Sequence, residues 1–306
     1  MAATLHRVLV GSTASGKKAV AAALHRRHGL ALLSMDSMKV YRGMDIGTDK
    51  PGPELLAEAP FSLLDLVGHD ERFSAGSWVR AAVDVAALAQ APLLFAGGTP
   101  LYLRVLLRGL CPAPPADRAL RAELHATGEQ SGEDALRREL RALDPQAEAR
   151  LQRGDTRRLV RALEVARLTG RPLSEWQREH TRPPLPGRWL VAALRHEPAA
   201  QQRRLQARVA HMLQAGLLEE VAGLLARAPF APEPARAIGY FEAAAHLRGD
   251  LPASELLPRI VVRTRQLVRK QRLHLQRFAE IRWVDVAEGE AQEAIVARVE
   301  QALELV

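Results

Sequence analysis

The sequence predicts an α/β protein: a parallel-sheet core with a mainly helical insertion. Three observations predict it. From Leu5 to Leu110, short apolar stretches alternate with helical patterns, as in parallel strands joined by crossover helices. A Gly-rich turn sits at the first strand–helix junction. Two Pro-rich stretches, "CPAPPADR" (111–118) and "TRPPLPG" (181–187), bracket a segment with helical patterns only.

"LHRVLV" reads as the first strand, and "KKAVAAALHRRHG" as a helix closing at Gly29, since glycine readily ends a helix. "LALLS" is a second strand and "FSLLDLV" a third. "AGSWVRAAVDVAALAQ" is a helix opening after Ser74, a residue that caps helices well. "APLLFAGGT" is a buried strand ending in glycines. From Asp117 to about Gln177 the pattern is helical and Arg-rich. "RWLVAAL" returns to strand character, a helical stretch follows, and "EIRWVDV" with a last helix ends the chain. The boundaries expected are a core of 1–112 and 188–306, with an insertion at 113–187. No internal repeat is evident.

At 306 residues and 47% hydrophobic, the chain can bury a sizeable core. It has no apolar run of about 18 residues, so no membrane span is expected. The N-terminus reads as a strand and not as a signal peptide. The single Cys111 excludes an internal disulfide and a cysteine metal cage, and fits a reducing cytoplasm. The formal charge of +8 suits a polyanion such as nucleic acid, although charge alone fits a merely basic surface equally well. Nearly all basic residues are Arg; the five lysines are Lys17, Lys18, Lys39, Lys50 and Lys270.

"VGSTASGKKAV" (10–20) carries most of the P loop pattern, Gly-x4-Gly-Lys-Ser/Thr. Gly11, Gly16 and Lys17 are in place, but Lys18 stands where a hydroxyl would hold a metal. A strand, such a turn and a helix together aim backbone N–H groups at an anion, and Lys17 can reach its terminal oxygens. Asp36 follows the second strand, at the carboxyl edge where open α/β sheets bind ligands. An Asp there can cap a helix instead. Gly97, Gly98 and Thr99 fall on the same edge, and Thr99 there either holds a substrate or closes a turn.

These stretches together resemble the tRNA dimethylallyltransferases, or tRNA isopentenylpyrophosphate transferases. That family reads G-P-T-A-S-G-K-T, then D-S-M-Q-V-Y-R-G-M-D-I-G-T-A-K-P, then G-G-T-G-L-Y. The middle match here comprises Asp36, Ser37, Met38, Val40 to Thr48, Lys50 and Pro51. Further along, "DTRRLVRALEVARLTGRPLSEWQ", "RLQARVAHMLQAGLLEEVAGLL", "RAIGYFE" and "TRQLVRKQ" resemble later family segments in the same order.

The resemblance implies a P-loop α/β core with a helical tRNA-binding insertion. It implies transfer of a dimethylallyl group from dimethylallyl pyrophosphate to N6 of the adenosine 3′ of the anticodon. Gly11, Ser12, Thr13, Ala14, Ser15, Gly16, Lys17 and Lys18 would grip the pyrophosphate, with Arg204 adding charge. Thr99 would help hold N6, and Asp36 would accept its proton. Positions facing the tRNA anticodon stem-loop would be Asp36, Ser37, Met38, Lys39, Thr99, Arg121, Arg157, Arg158, Leu159, Val160, Arg161, Arg236, Gly239, Tyr240, Phe241, Arg269, Lys270 and Gln271. For "DTRRLVRALEVARLTG", the pattern alone favours a solvated Arg face. Mg²⁺ is the implied cofactor, its site weakened by Lys18, with Ser15, Thr13 or Asp36 as substitute oxygens. A cytoplasmic monomer is expected.

The chain also departs from the family pattern at Ser12, Pro100, Phe241 and the run "RLHLQRF" (272–278). Two other readings stay open: a tRNA-binding relative with impaired catalysis, and a small-molecule P-loop kinase.

Overall fold

The computed structural model describes residues 4–179 and 182–306. The first three residues of the N-terminal stretch lie outside them, as does Thr181 of the second Pro-rich stretch. The chain divides into two compact units, Met1–Leu106 with Leu185–Val306, and Leu107–Pro184. These divisions fall slightly before the expected ones.

In the first unit, β1 (Leu5–Gly11) leads through the Gly-rich turn into α1 (Lys17–His28) and β2 (Ala31–Met35). Then come α2 (Pro53–Glu58), β3 (Phe61–Ser62), α3 (Ala75–Leu88), β4 (Leu93–Gly97) and α4 (Pro100–Arg108), whose last two residues belong to the second unit. The second unit holds α5 (Arg118–Ser131), α6 (Glu133–Leu143), α7 (Pro145–Arg150), α8 (Thr156–Thr169) and α9 (Leu173–Glu179). The chain returns with β5 (Arg188–His196), α10 (Pro198–Gln214), α11 (Leu217–Arg227) and α12 (Tyr240–Leu247). It ends with α13 (Ala253–Leu275), β6 (Ile281–Val286) and α14 (Gln292–Ala302).

The six strands form one parallel sheet in the order β3-β2-β4-β1-β5-β6. All carboxyl ends therefore lie along one edge, and β1 and β4 are central. Leu9, Leu32, Leu94, Ala192 and Val284 point to a core shared with α1 and α14. The near-continuous apolar runs of the central strands reflect burial on both faces.

Local chemistry fixes the element ends. Gly29 closes α1 in the left-handed conformation, and Ser74 caps α3 by accepting from Ser77 N–H. The expected strand at 61–67 stops after Ser62. Leu63 and Asp65 have positive φ, which breaks the strand, and Val67 makes only an isolated bridge to Tyr41. Asp65 has another task there: its carboxylate binds Lys50 Nζ at 2.6 Å. No single helix among the described residues is long and apolar enough to cross a membrane.

Candidate active site

Three strand ends meet at the carboxyl edge. After β1, residues 12–16 form the loop, with Ala14 and Gly16 at positive φ. Side chains from elsewhere hold this loop by its backbone. Gln271 on α13 accepts from Thr13 N–H at 3.0 Å and donates to Gly98 carbonyl at 2.8 Å. Gln201 donates to Thr13 carbonyl, His196 to Ser15 carbonyl and Arg204 to Ala14 carbonyl. Lys17 Nζ donates to Ser12 carbonyl at 3.1 Å. A Cβ on Gly97 would overlap the Met35 carbonyl, and one on Gly98 would press on Gly11 carbonyl and Gln271, so this strand end is built for close backbone approach.

β2 delivers Asp36. Its base is anchored by the fully buried Trp78, which donates to Ser34 carbonyl and stacks on Tyr102. Asp36 Oδ1 accepts from Met38 N–H at 2.9 Å. Among the described residues, Oδ2 accepts no hydrogen bond from the protein. β4 delivers Thr99, whose Oγ1 accepts from Ser37 N–H at 3.0 Å. Thr99 thus pins the backbone that presents Asp36.

Two cavities share part of this wall. One, of about 430 Å³, is lined by the loop together with Lys17, Lys18, Lys39, Arg204 and Arg208. Asp36 and Asp49 are its two carboxylates. The other, of about 470 Å³, is lined by Ser37, Met38, Thr99, Ile238, Tyr240 and Leu267, with Arg236 and Lys270 among its polar groups. Asp36, Thr13, Thr48 and Arg208 line both.

The first cavity is strongly cationic. Burial depresses Lys17 to about 8, and repulsion from Lys39 adds to the effect. Lys39 is likewise lowered to about 8, chiefly by burial, against the opposing pull of Asp36 and Asp49. For Asp49, burial acts upward, but Arg208, Lys18 and Lys39 outweigh it and hold the carboxyl below its ordinary value. Such a site lowers the free energy of an entering anion.

Several expected tRNA contacts are occupied within the fold. Leu159 and Val160 are 0% and 2% exposed, in the apolar face of α8. Arg121 and Arg161 both bind Glu164, which is 0% exposed, and Arg161 also donates to Pro114 carbonyl. Gly239 and Tyr240 are buried. Tyr240 donates to Glu220, which in turn accepts from the backbone of Asp45 and Ile46, so it shapes the turn before Thr48. Gln271 holds the loop, and Lys39 lines the cationic cavity. Arg157, Arg158, Arg236, Phe241, Arg269 and Lys270 are exposed.

Asp49, Arg208, His196 and Gln201 were not anticipated. Arg208 was signalled by its place one helical turn after Arg204 on α10. Asp49 was signalled as a gap in the long motif match.

The residues do not fit a loop-held Mg²⁺. At position 18 an ammonium lies 2.7 Å from Asp49 Oδ1, where the pattern calls for a ligand oxygen. Ser15 Oγ has no hydrogen-bond partner among the described residues, but it is sealed from solvent over Gly11. Among the described residues, no group of three His, Cys, Asp or Glu side chains could hold an ion.

The comparisons with known proteins agree with one another. A family model described as IPP transferase matches residues 39–278. A tRNA dimethylallyltransferase of Stenotrophomonas maltophilia (strain R551-3) is 42% identical, over 90% of this chain and 91% of that protein. One from Thioalkalivibrio sulfidiphilus (strain HL-EbGR7) is 41% identical over 97% and 94%. The full-length tRNA isopentenylpyrophosphate transferase structure from Bacillus halodurans is 29% identical, with TM-score 0.71 and coverage of 99% and 97%. With the cationic cavity, the edge carboxylate and these matches together, the chain belongs to the IPP transferase family.

Proposed function

We infer that this chain transfers a dimethylallyl group from dimethylallyl pyrophosphate to N6 of the adenosine 3′ of the anticodon in tRNA. One observation carries the reading: Asp36 stands on the wall shared by a cationic cavity and a mixed apolar–polar one. The pyrophosphate suits the first cavity. The adenine, flipped from the anticodon loop, suits the second.

The reaction then runs at the shared wall. The N6 lone pair attacks the prenyl carbon, and the C–O bond breaks with its electron pair leaving on pyrophosphate. Backbone N–H groups of the loop, Lys17 and Arg204 meet the charge that develops there. Asp36 accepts the proton that N6 loses. Met38 N–H fixes one carboxylate oxygen, leaving the other for this proton. Thr99 acts through Ser37, holding the Asp36 turn in place.

For the tRNA, the exposed Arg236 and Lys270 line the second cavity, the exposed Phe241 and Arg269 neighbour its lining residues Tyr240 and Lys270 in sequence, and Arg157 and Arg158 offer guanidinium groups on α8. Arg forks suit phosphate oxygens. The similarity to tRNA dimethylallyltransferases over most of the chain disfavours the small-molecule kinase.

The test is incubation with unmodified tRNA and dimethylallyl pyrophosphate, with and without Mg²⁺, followed by mass analysis of the nucleosides. N6-dimethylallyl adenosine is the expected product. Its absence under both conditions, with the tRNA still bound, would select the catalytically impaired relative.

A further inference from the structure

Asp49 is a hub for three cations that come from three different elements. Lys18, in the first turn of α1, donates to Asp49 Oδ1 at 2.7 Å. Lys39, beyond β2, donates to Asp49 carbonyl at 2.7 Å. Arg208 on α10 lies 3.3 Å from Asp49 Oδ2. Both carboxylate oxygens and the carbonyl are thereby engaged. Asp49 itself sits at φ 54°, a region that Asp tolerates better than most residues.

Positions 18, 39 and 49 share another property. They are Thr, Gln and Ala in the family pattern, and all three are charged here. All three line one phosphate cavity, and Asp49 contacts both lysines. Together they add two ammonium groups and one carboxylate, a net gain of one positive charge. The same change removes the hydroxyl with which a loop of this kind holds its metal.

We propose that Lys18 and Lys39, braced by Asp49 and Arg208, replace a loop-bound divalent cation, so that this chain binds and releases pyrophosphate without metal. The proposal rests on the prenyl-transfer reading for its substrate, but its binding half stands alone. A bare ammonium in the cavity would be mobile and would repel its neighbours. Asp49 fixes two of them side by side, and charge-assisted hydrogen bonds keep them aimed. The entering pyrophosphate then meets fixed cations in place of a hydrated ion. When the prenyl C–O bond breaks, the new charge on the leaving oxygen is neutralised by these ammonium groups, and no further co-reactant is needed. For Lys17 and Lys39, the partial deprotonation that burial favours in the empty cavity is reversed when the anion enters.

The probe is inorganic pyrophosphate, titrated calorimetrically into full-length protein in EDTA and again in excess Mg²⁺. Single-turnover prenyl transfer is followed under the same two conditions. Wild type should bind in EDTA within about threefold of its affinity in Mg²⁺, and should turn over in both, since charge-assisted contacts of this kind are strong. The triple variant Lys18→Thr, Lys39→Gln, Asp49→Ala restores the family residues. It should lose at least about tenfold in EDTA, the scale of one charged hydrogen bond, and recover when Mg²⁺ is added. Lys18→Thr alone, at the start of α1 with Asp49 still held by Lys39 and Arg208, should shift in the same direction. It serves if the triple variant does not fold. Wild-type binding that collapses in EDTA, or variants whose metal response matches wild type, would overturn the proposal. Transfer by wild type only with Mg²⁺ would also overturn it, while leaving the prenyl-transfer reading intact. Metal-free pyrophosphate binding without transfer under any condition would uphold the binding half and sink that reading instead.

Discussion

The cationic cavity of the first unit and the helical second unit are both rich in basic side chains, yet they treat them in opposite ways. In the second unit the guanidinium groups packed near the core are paired with carboxylates. Arg121 and Arg161 share Glu164, Arg137 binds Glu133 and Glu148, and Arg167 binds Glu123 and Glu139. In the cavity, Lys17, Lys18, Lys39, Arg204 and Arg208 face two carboxylates. The first pattern is neutralised from within and holds helices together. The second leaves a positive field waiting for an anion. Composition cannot tell these apart, because only the placement of the acids differs.

The largest expected effect comes from removing the carboxylate on the shared wall. Asp36→Ala should lower single-turnover prenyl transfer by about 10²–10⁴, the usual worth of a positioned base. Pyrophosphate binding should stay near normal, since Asp36 adds no positive charge to the cavity. Weakened pyrophosphate binding with near-normal chemistry would place Asp36 among the structural supports of the loop.

The next effect breaks the second unit's network. Glu164 is fully buried between two guanidinium groups and also accepts from Asp117 N–H. Glu164→Ala should destabilise the protein by about 3 kcal/mol, toward the low end for a broken buried pair because both arginines retain some solvent contact. Denaturant unfolding with two probes would read it. The pH dependence follows from the same geometry. Burial pushes the Glu164 carboxyl up, but Arg121, Arg161 and the Asp117 N–H together bring it below its ordinary value. Its folded-state value is thus depressed, so its contribution is present above the ordinary carboxylate range. It is lost as pH falls through the depressed value.

In the cavity the sign is the reverse. Lys17 and Lys39 titrate near 8 in the empty site, and a bound pyrophosphate favours their protonated forms. Binding therefore takes up protons above that pH. Affinity for inorganic pyrophosphate should fall above about pH 8, by up to about tenfold per pH unit for each lysine that must be charged. A flat profile to about pH 9.5 would mean that neither ammonium faces the ligand.

Much of this was legible in the sequence because it depends on backbone chemistry. A β1–Gly-rich turn–α1 unit, Asp36 just past β2 and Gly97-Gly98 past β4 must fall on one edge of a parallel sheet, whatever else the chain does. The strand expected at 61–67 failed because two residues there adopt positive φ, which their side chains do not announce. The partners of residues expected to face tRNA are the least legible. Arg121, Arg161 and Tyr240 carry the right chemistry, but what they bind is set by the fold: Glu164 lies 43 residues from Arg121, and Glu220 lies 20 residues from Tyr240. Asp49 was hidden differently: it is the acid inside a long motif match, and its meaning appears only beside Lys18, Lys39 and Arg208.

The smallest effect sharpens the comparison at its weakest point, the outward face of α8. Arg157 and Arg158 are exposed, and among the described residues Arg158 is held only by Asp155 at 2.9 Å, three residues away. A surface pair of this kind contributes roughly 0–1 kcal/mol, so Asp155 competes weakly with a phosphate. Arg161, one turn further on, is fixed by Glu164 and Pro114 carbonyl and is not free in this sense. Replacing Arg157 and Arg158 with Ala should therefore leave unfolding unchanged. It should weaken tRNA binding and reduce the slope of log affinity against log salt by about 1–2, roughly one unit for each phosphate that is no longer neutralised. Arg161→Ala should do the opposite, lowering stability with little change in slope beyond what partial unfolding explains. If the double variant keeps the wild-type slope, then α8 is a solvated face and the second unit is neutralised throughout. The positive charge that meets tRNA would then have to come from the first unit alone, from Arg236, Arg269 and Lys270.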